Sequence, residues 1–263
     1  GASPTTGGGA GSSFLNVAGQ TPVLTYDNAG TSGFTAINEP LFLTEPTDIV
    51  IRNGARLTSP AGPEYSLTIH TPGNLTIESG AWIDVTARGF PGGQGPGAGG
   101  AGGSCDGAGG GHGGSGAPSG AAPGGATYGS FEQPDTPGSG GGEQSVSLLG
   151  APGGGVVRLV VDGVLTIDGA IVAHGGASFA GPGAGGSIWI TAAAVDGSGS
   201  IHANGGTSPF CGIGGGGGRI ALYATSSAFS GTVAARGGGA SPTTGGGAGS
   251  SFLNVAGQTP VLT

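Results

Sequence analysis

The chain contains no methionine and no lysine, only two cysteines, and charged residues fill just 8% of its 263 positions. Each shortage removes a class of function. Without lysine there is no Gly-Lys-Ser/Thr, so its abundant glycine cannot serve a phosphate loop. Six basic residues, all arginine, against fourteen acids leave a net charge of −8 and no basic surface to neutralise a nucleic-acid backbone. No apolar run approaches the ~20 residues of a membrane helix. G-x-S-x-G, H-E-x-x-H, C-x-x-C and EF-hand patterns are all absent. With no methionine to initiate it, the chain reads as a window cut from a longer polypeptide.

What is present is glycine, 67 residues of it, with 18 prolines. That proportion without a collagen triplet usually marks low complexity. Here the low charge and the recurring Val/Ile/Leu runs predict ordered strands carrying glycine-rich excursions instead. The opening segment 1–25, GASPTTGGGAGSSFLNVAGQTPVLT, returns letter for letter as segment 239–263, so that Gly1 recurs as Gly239 and one full period separates them. Identity at neutral positions such as Ser3-Pro4-Thr5-Thr6 points to an array sampled slightly past one unit.

A smaller repeat lies inside the large one. The template [Ile/Val]-x-Ala-[Arg/His/Asn]-Gly begins at Val85, Ile171, Ile201 and Val233, with one wide interval followed by two short, nearly equal ones. Alternation sends the first and third residues inward and the second and fourth outward. Arg88, His174, Asn204 and Arg236 are thereby predicted to form one outward column. Each copy follows a strand and a glycyl corner, as in LTIESGAWI and LTIDGAI, and is followed by an excursion and a return strand. The predicted organisation is the end of a preceding repeat (1–25), a strand-rich segment (26–88), a glycine-rich excursion (89–155), rungs with short excursions (156–238) and the second copy (239–263). The predicted fold is all-β, a β-solenoid resembling a parallel β-helix, with a β-sandwich or barrel as alternative. For the long excursion, bundled polyproline-II-like segments and a flexible coil are both open.

Chemistry is thinly represented. Cys105 and Cys211 are a candidate disulfide, an even count in a chain of extracellular character. The four histidines, His70, His112, His174 and His202, are scattered, and His112 is expected in a solvated loop with Asp106, Glu132, Asp135 and Glu143. Carboxylates that could meet across rungs are Asp84, Asp162, Asp168 and Asp196. Asp-Gly corners explain the last three, leaving Asp84 as a lone strand acid. Asn74-Leu75-Thr76 satisfies the N-glycosylation sequon. No cofactor is called for, with calcium left open.

The runs LTIESGAWIDVTARG and LTIDGAIVAHGG resemble rungs of secreted bacterial β-helix proteins of the filamentous-haemagglutinin type. With GGGGGRIAL at 214–222 they also resemble glycine-rich tandem-repeat surface proteins. The resemblance covers mainly residues 74–90 and 156–238, and it implies a non-enzymatic extracellular stalk, adhesin or fibre. The leading expectation is a structural repeat of an extracellular or cell-surface filament whose partners are copies of itself, head to tail. A repetitive binding module for glycan, mineral or ice, and a β-helical polysaccharide-active enzyme, are the rivals.

Overall fold

The structure is a computed structural model, and it describes every residue except 1–7, 32, 103–106, 145–147 and 241–242. Among the described residues there are strands and no helix. The first half of the chain supplies β1 (Gly11–Leu15), β2 (Val23–Asp27), β3 (Gly33–Ala36), β4 (Leu41–Phe42), β5 (Asp48–Arg52), β6 (Ala55–Thr58), β7 (Ser66–Thr71), β8 (Leu75–Ile77) and β9 (Trp82–Asp84). After the long excursion come β10 (Val156–Ile167), β11 (Ala170–Val172), β12 (Ser187–Asp196), β13 (Ser200–His202), β14 (Arg219–Ser227), β15 (Thr232–Ala234), β16 (Ser250–Val255) and β17 (Val261–Leu262).

These strands build two sheets. Nine of the strands in the eleven-stranded sheet follow the path β1-β2-β5-β8-β10-β12-β14-β16-β17, with β7 beside β10 and β4 beside β7. The six-stranded sheet runs β15-β13-β11-β9-β6-β3 and is parallel throughout. The large sheet is mixed, because β1-β2 and β16-β17 pair antiparallel. This arrangement corrects the solenoid expected from the sequence and the barrel kept beside it, since both sheets are open paths and neither closes, and it departs from a sandwich of antiparallel sheets, since the small sheet is parallel and the large one is antiparallel only at β1-β2 and β16-β17. The physical reason is composition. After its second strand each rung runs into glycine, which has no side chains with which to build and bury a further sheet face.

Corners carry the chain between sheets, from β5 to β6, β8 to β9, β10 to β11, β12 to β13 and β14 to β15. At Asn53-Gly54 both residues take positive φ, 53° and 80°, which is what a tight two-residue turn of the primed type demands. At Asp168-Gly169 the requirement is different: a Cβ on Gly169 would stand 2.2 Å from the Ala81 carbonyl oxygen, so backbone proximity selects the glycine. In-register stacking then piles like on like. Ile83, Ile171 and Ile201 form one buried row of the small sheet, and Ile69, Leu159, Ile190 and Leu222 one of the large sheet. Burying each such side chain stabilises the fold by about 1.5–3 kcal/mol relative to exposure.

The long excursion packs by other means. Its described residues contain no strand, yet their backbones bond across segments: Phe90 N–H to Gly138 O, Gly138 N–H to Gly154 O, and Gly154 N–H to Ala184 O, at 3.1, 2.9 and 2.8 Å. Shorter excursions extend the pattern through Gly185 N–H to Gly216 O and Gly217 N–H to Gly247 O, each 2.9 Å.

Candidate functional site

The outward face of the small sheet carries an arginine-aromatic cluster beside an open groove. Register places Phe34, Arg56, Trp82, Ala170, Ser200 and Thr232 in one row across all six strands. The Arg56 guanidinium lies 4.5 Å from the centroid of the Trp82 ring and 5.6 Å from that of Phe34, and its Nη1 is 3.9 Å from Asp84 Oδ2. Trp82, Ala170, Ser200 and Thr232 line an open groove of about 400 Å³ floored by the corner glycines. A flat indole beside a shallow polar groove suits stacking of an apolar ring face, with hydroxyls available for hydrogen bonds.

Asp84 is not the unexplained strand acid expected from sequence. It is 9% exposed, and its Oδ1 accepts the Thr86 N–H at 2.9 Å, which starts a turn through Ala87 at φ 55°. That turn also removes Arg88 from the predicted column. The carbonyls of Val85, Ala173, Ala203 and Ala235 accept equivalent bonds from Gly155, Gly186, Gly218 and Gly249. The first copy is therefore shifted by two positions relative to the sequence template, with Ile83 rather than Val85 stacked on Ile171.

The remaining three column residues do meet. Asn204 N–H donates to His174 Nδ1 at 3.1 Å, and Arg236 N–H donates to Asn204 Oδ1 at 2.8 Å. The His174 and His202 rings are 6.3 Å apart, and His202 Nε2 is 2.9 Å from Thr232 Oγ1. Burial, then the neighbouring His202 charge, depress the His174 pKa, against a smaller opposing pull from Asp84. Burial, then Arg236, depress that of His202. Both rings are thereby favoured neutral.

The other candidates are dispersed. Asn74 is spoken for at both ends of its amide, donating to Asp48 Oδ1 at 3.0 Å and accepting the Val164 N–H at 2.8 Å. Asp162 lies 3.6 Å from His70, Asp168 accepts the Ser198 N–H at 3.1 Å, and Asp196 pairs in register with Thr166. Among the described residues no three of His, Cys, Asp and Glu converge on a point that could hold a metal ion. Cys211 carries no free thiol, and Cys105 lies outside the described residues. So does Asp106 of the expected solvated loop.

His112 overturns its expectation outright. It is fully buried, its Nδ1 2.8 Å from the Gly185 carbonyl and its Nε2 3.3 Å from Thr136 Oγ1. The carbonyl can only accept, so Nδ1 carries the proton and Nε2 accepts. Tyr128 lies 4.8 Å away ring to ring, donates to Pro137 O at 2.6 Å and accepts from Ser139 Oγ at 2.8 Å. Arg219 Nε donates to Tyr128 O at 2.8 Å. Burial pulls the His112 pKa down to about 4 and pushes that of Tyr128 up to about 12. This seam fastens the excursion to β14. His112 and Tyr128 are large side chains in a stretch where glycine predominates, but nothing in their sequence neighbourhood marks them as buried.

No family model matches the chain, and comparison with curated proteins and with solved structures returned no match.

Proposed function

We propose that the chain is the structural repeat of an extracellular filament or surface fibre, its units following one another head to tail. One observation carries this reading. Segments 1–25 and 239–263 are identical, and the described residues of both copies include the same antiparallel hairpin, Phe14 opposite Leu24 and Phe252 opposite Leu262, at the two ends of the path through one sheet. A unit that begins and ends on the same element has the geometry of a link in a series. Electron microscopy of the material from its native source, with antibody labelling of intact cells, tests the reading. Long surface filaments with a regular axial repeat are expected. Isolated particles of 24.3 kDa in a cell interior would overturn it.

A second reading draws on the Trp82 groove, whose indole, Ser200 and Thr232 recur once per unit in a series and would bind a surface glycan through multivalency. Screening the chain and Trp82→Ala on a glycan array separates the two. Binding by a single unit that is lost in Trp82→Ala supports adhesion, whereas no binding by either leaves the fibre role alone.

A further inference from the structure

The two hairpins are the same sequence in the same fold, but they are covered on opposite sides. In the first copy β2 is backed by β5, Val23 and Leu24 are half-buried, and Phe14 and Leu15 of β1 stand 61% and 62% exposed. In the second copy β16 is backed by β14, and Phe252 and Leu253 are half-buried, with the Phe252 ring 5.8 Å from Tyr223 and 5.6 Å from Phe131. There it is Val261 and Leu262 that are bare, 52% and 54% exposed. Every large apolar side chain exposed in one of these strands is covered in its twin.

Glycine repeats the pattern. A Cβ on Gly8 or Gly11 would meet nothing within 4 Å, whereas on their twins Gly246 and Gly249 it would lie 2.1 and 1.9 Å from the carbonyl oxygens of Gly215 and Gly218. Two identical caps on one domain would show solvent the same side. These show opposite sides.

We infer that the hairpin is the joint between successive units and is used once per joint. Its first strand continues β14 of the unit before, and its second strand carries β5 of the unit after. The partner is a second copy of this unit, in the register the two ends already display. Leu262 lies opposite Ile49 and Thr263 opposite Val50 of the following unit, as Leu24 and Thr25 do within one. The Pro260 carbonyl takes the Asp48 N–H of that unit, as Pro22 does at 2.9 Å. The large sheet then runs unbroken from unit to unit, with one antiparallel pair at each joint.

The inference rests on the head-to-tail reading, and its test is separable from it. A polypeptide of two periods, the full chain followed by residues 26–263 again, contains one internal hairpin. Thiol-specific labelling of folded protein is compared at Leu24→Cys, Leu262→Cys and the exposed control Phe42→Cys, with the parent chain as background. In the single chain, position 262 labels fast and position 24 slowly. In the two-period chain, labelling at 262 is expected to slow at least about tenfold, to the rate at position 24, while position 42 stays fast. Fast labelling at 262 overturns the joint, even where filaments are seen. Fast labelling at 24 as well means that adjoining units disrupt each other, which also overturns it. Slow labelling at 262 in a protein that forms no filament in its native setting keeps the joint and removes the fibre role.

Discussion

The sheets and the glycine-rich excursions solve the same problem with opposite materials. In the sheets, β-branched and leucine side chains fill the space between two backbones, as in the row Ile83, Ile171, Ile201, all fully buried. In the excursions the filling is removed and the backbones themselves touch. A Cβ on Gly153 would stand 1.9 Å from the Gly138 carbonyl oxygen, and one on Gly142 1.9 Å from that of Gly100. One half of the molecule is held by apolar burial, the other by peptide hydrogen bonds at distances side chains would forbid. Excursion bonds such as Gly154 to Ala184 and Gly185 to Gly216 reach almost as far along the chain as the strand register does, where Val156 faces Ser187 and Ser187 faces Arg219. The strands set the pitch and the glycines follow it.

The largest expected effect comes from emptying the side-chain half. Ile171→Ala leaves a cavity between Ile83 and Ile201 and is expected to cost about 2–5 kcal/mol in denaturant unfolding. Ile171→Val is expected to cost about 0.5–1.5 kcal/mol. Equal losses for the two would mean that this row is not close-packed.

Adding one carbon to the backbone half comes next, and the duplicated segment supplies its own control. Gly249→Ala drives a methyl into the Gly218 carbonyl and is expected to cost about 1–3 kcal/mol, plus part of a hydrogen bond. Gly11→Ala places the same methyl, in the same local sequence, into open space and is expected to change the melting temperature little. Neither glycine has positive φ, so backbone strain does not enter the difference. Similar costs at both sites would remove the claim that the excursions pack on their backbones.

Much of the side-chain half is legible in sequence, because alternation and glycyl corners are local signals. LTIDGAIVAHGG places Ile167 and Ile171 in the core and turns at Asp168-Gly169 without any long-range information. Closure is not local. Whether strand, corner, strand returns as a third face depends on what the glycines do, and glycine has no pattern to read. The same gap misplaced Arg88: its template matches the other three, but the Asx turn at Asp84 and the positive φ of Ala87 shift the register by two. At the candidate site, the Arg56-Trp82 contact joins residues distant in sequence and follows only from the pairing of β6 with β9. His112 was invisible for a related reason, since a loop of glycine reads as solvated until its backbones are seen to close over the ring.

That buried histidine makes the boundary between the halves sensitive to pH. Its folded pKa of about 4 lies below the ordinary value near 6.5, so below pH 6.5 the unfolded chain binds a proton that the folded chain refuses. Stability contributed by the neutral ring is therefore present above pH 6.5 and is lost as pH falls toward 4. Between pH 7 and pH 5 the loss is about 2 kcal/mol. The depressed pKa values of His174 and His202 act in the same direction. Unfolding free energy measured at both pH values for the parent and for His112→Gln checks this. The substitution is expected to lower stability at pH 7 and to flatten its decline. An unchanged decline would mean that His112 takes up its proton without unfolding.

The smallest effect concerns the surface of the side-chain half. Both tryptophans of the chain lie under an arginine from the adjoining strand in register, Arg56 over Trp82 and Arg158 over Trp189, each 4.5 Å from the ring. Exposed cation–π contacts of this kind contribute about 0.5–1 kcal/mol. Arg56→Gln is expected to cost that much, and Arg56→Lys less, because an ammonium still lies over the indole but cannot stack on it as a plane. The two sites differ in what else the arginine does, since Arg56 also approaches Asp84 at the turn that sets the local register. Arg56→Gln is therefore expected to cost more than Arg158→Gln, by up to about 1 kcal/mol for a partly exposed ion pair, and to shed that excess in high salt. Equal costs at both sites, unchanged by salt, would show that Asp84 holds its turn through the Thr86 N–H alone, leaving the arginines as lids over the indoles.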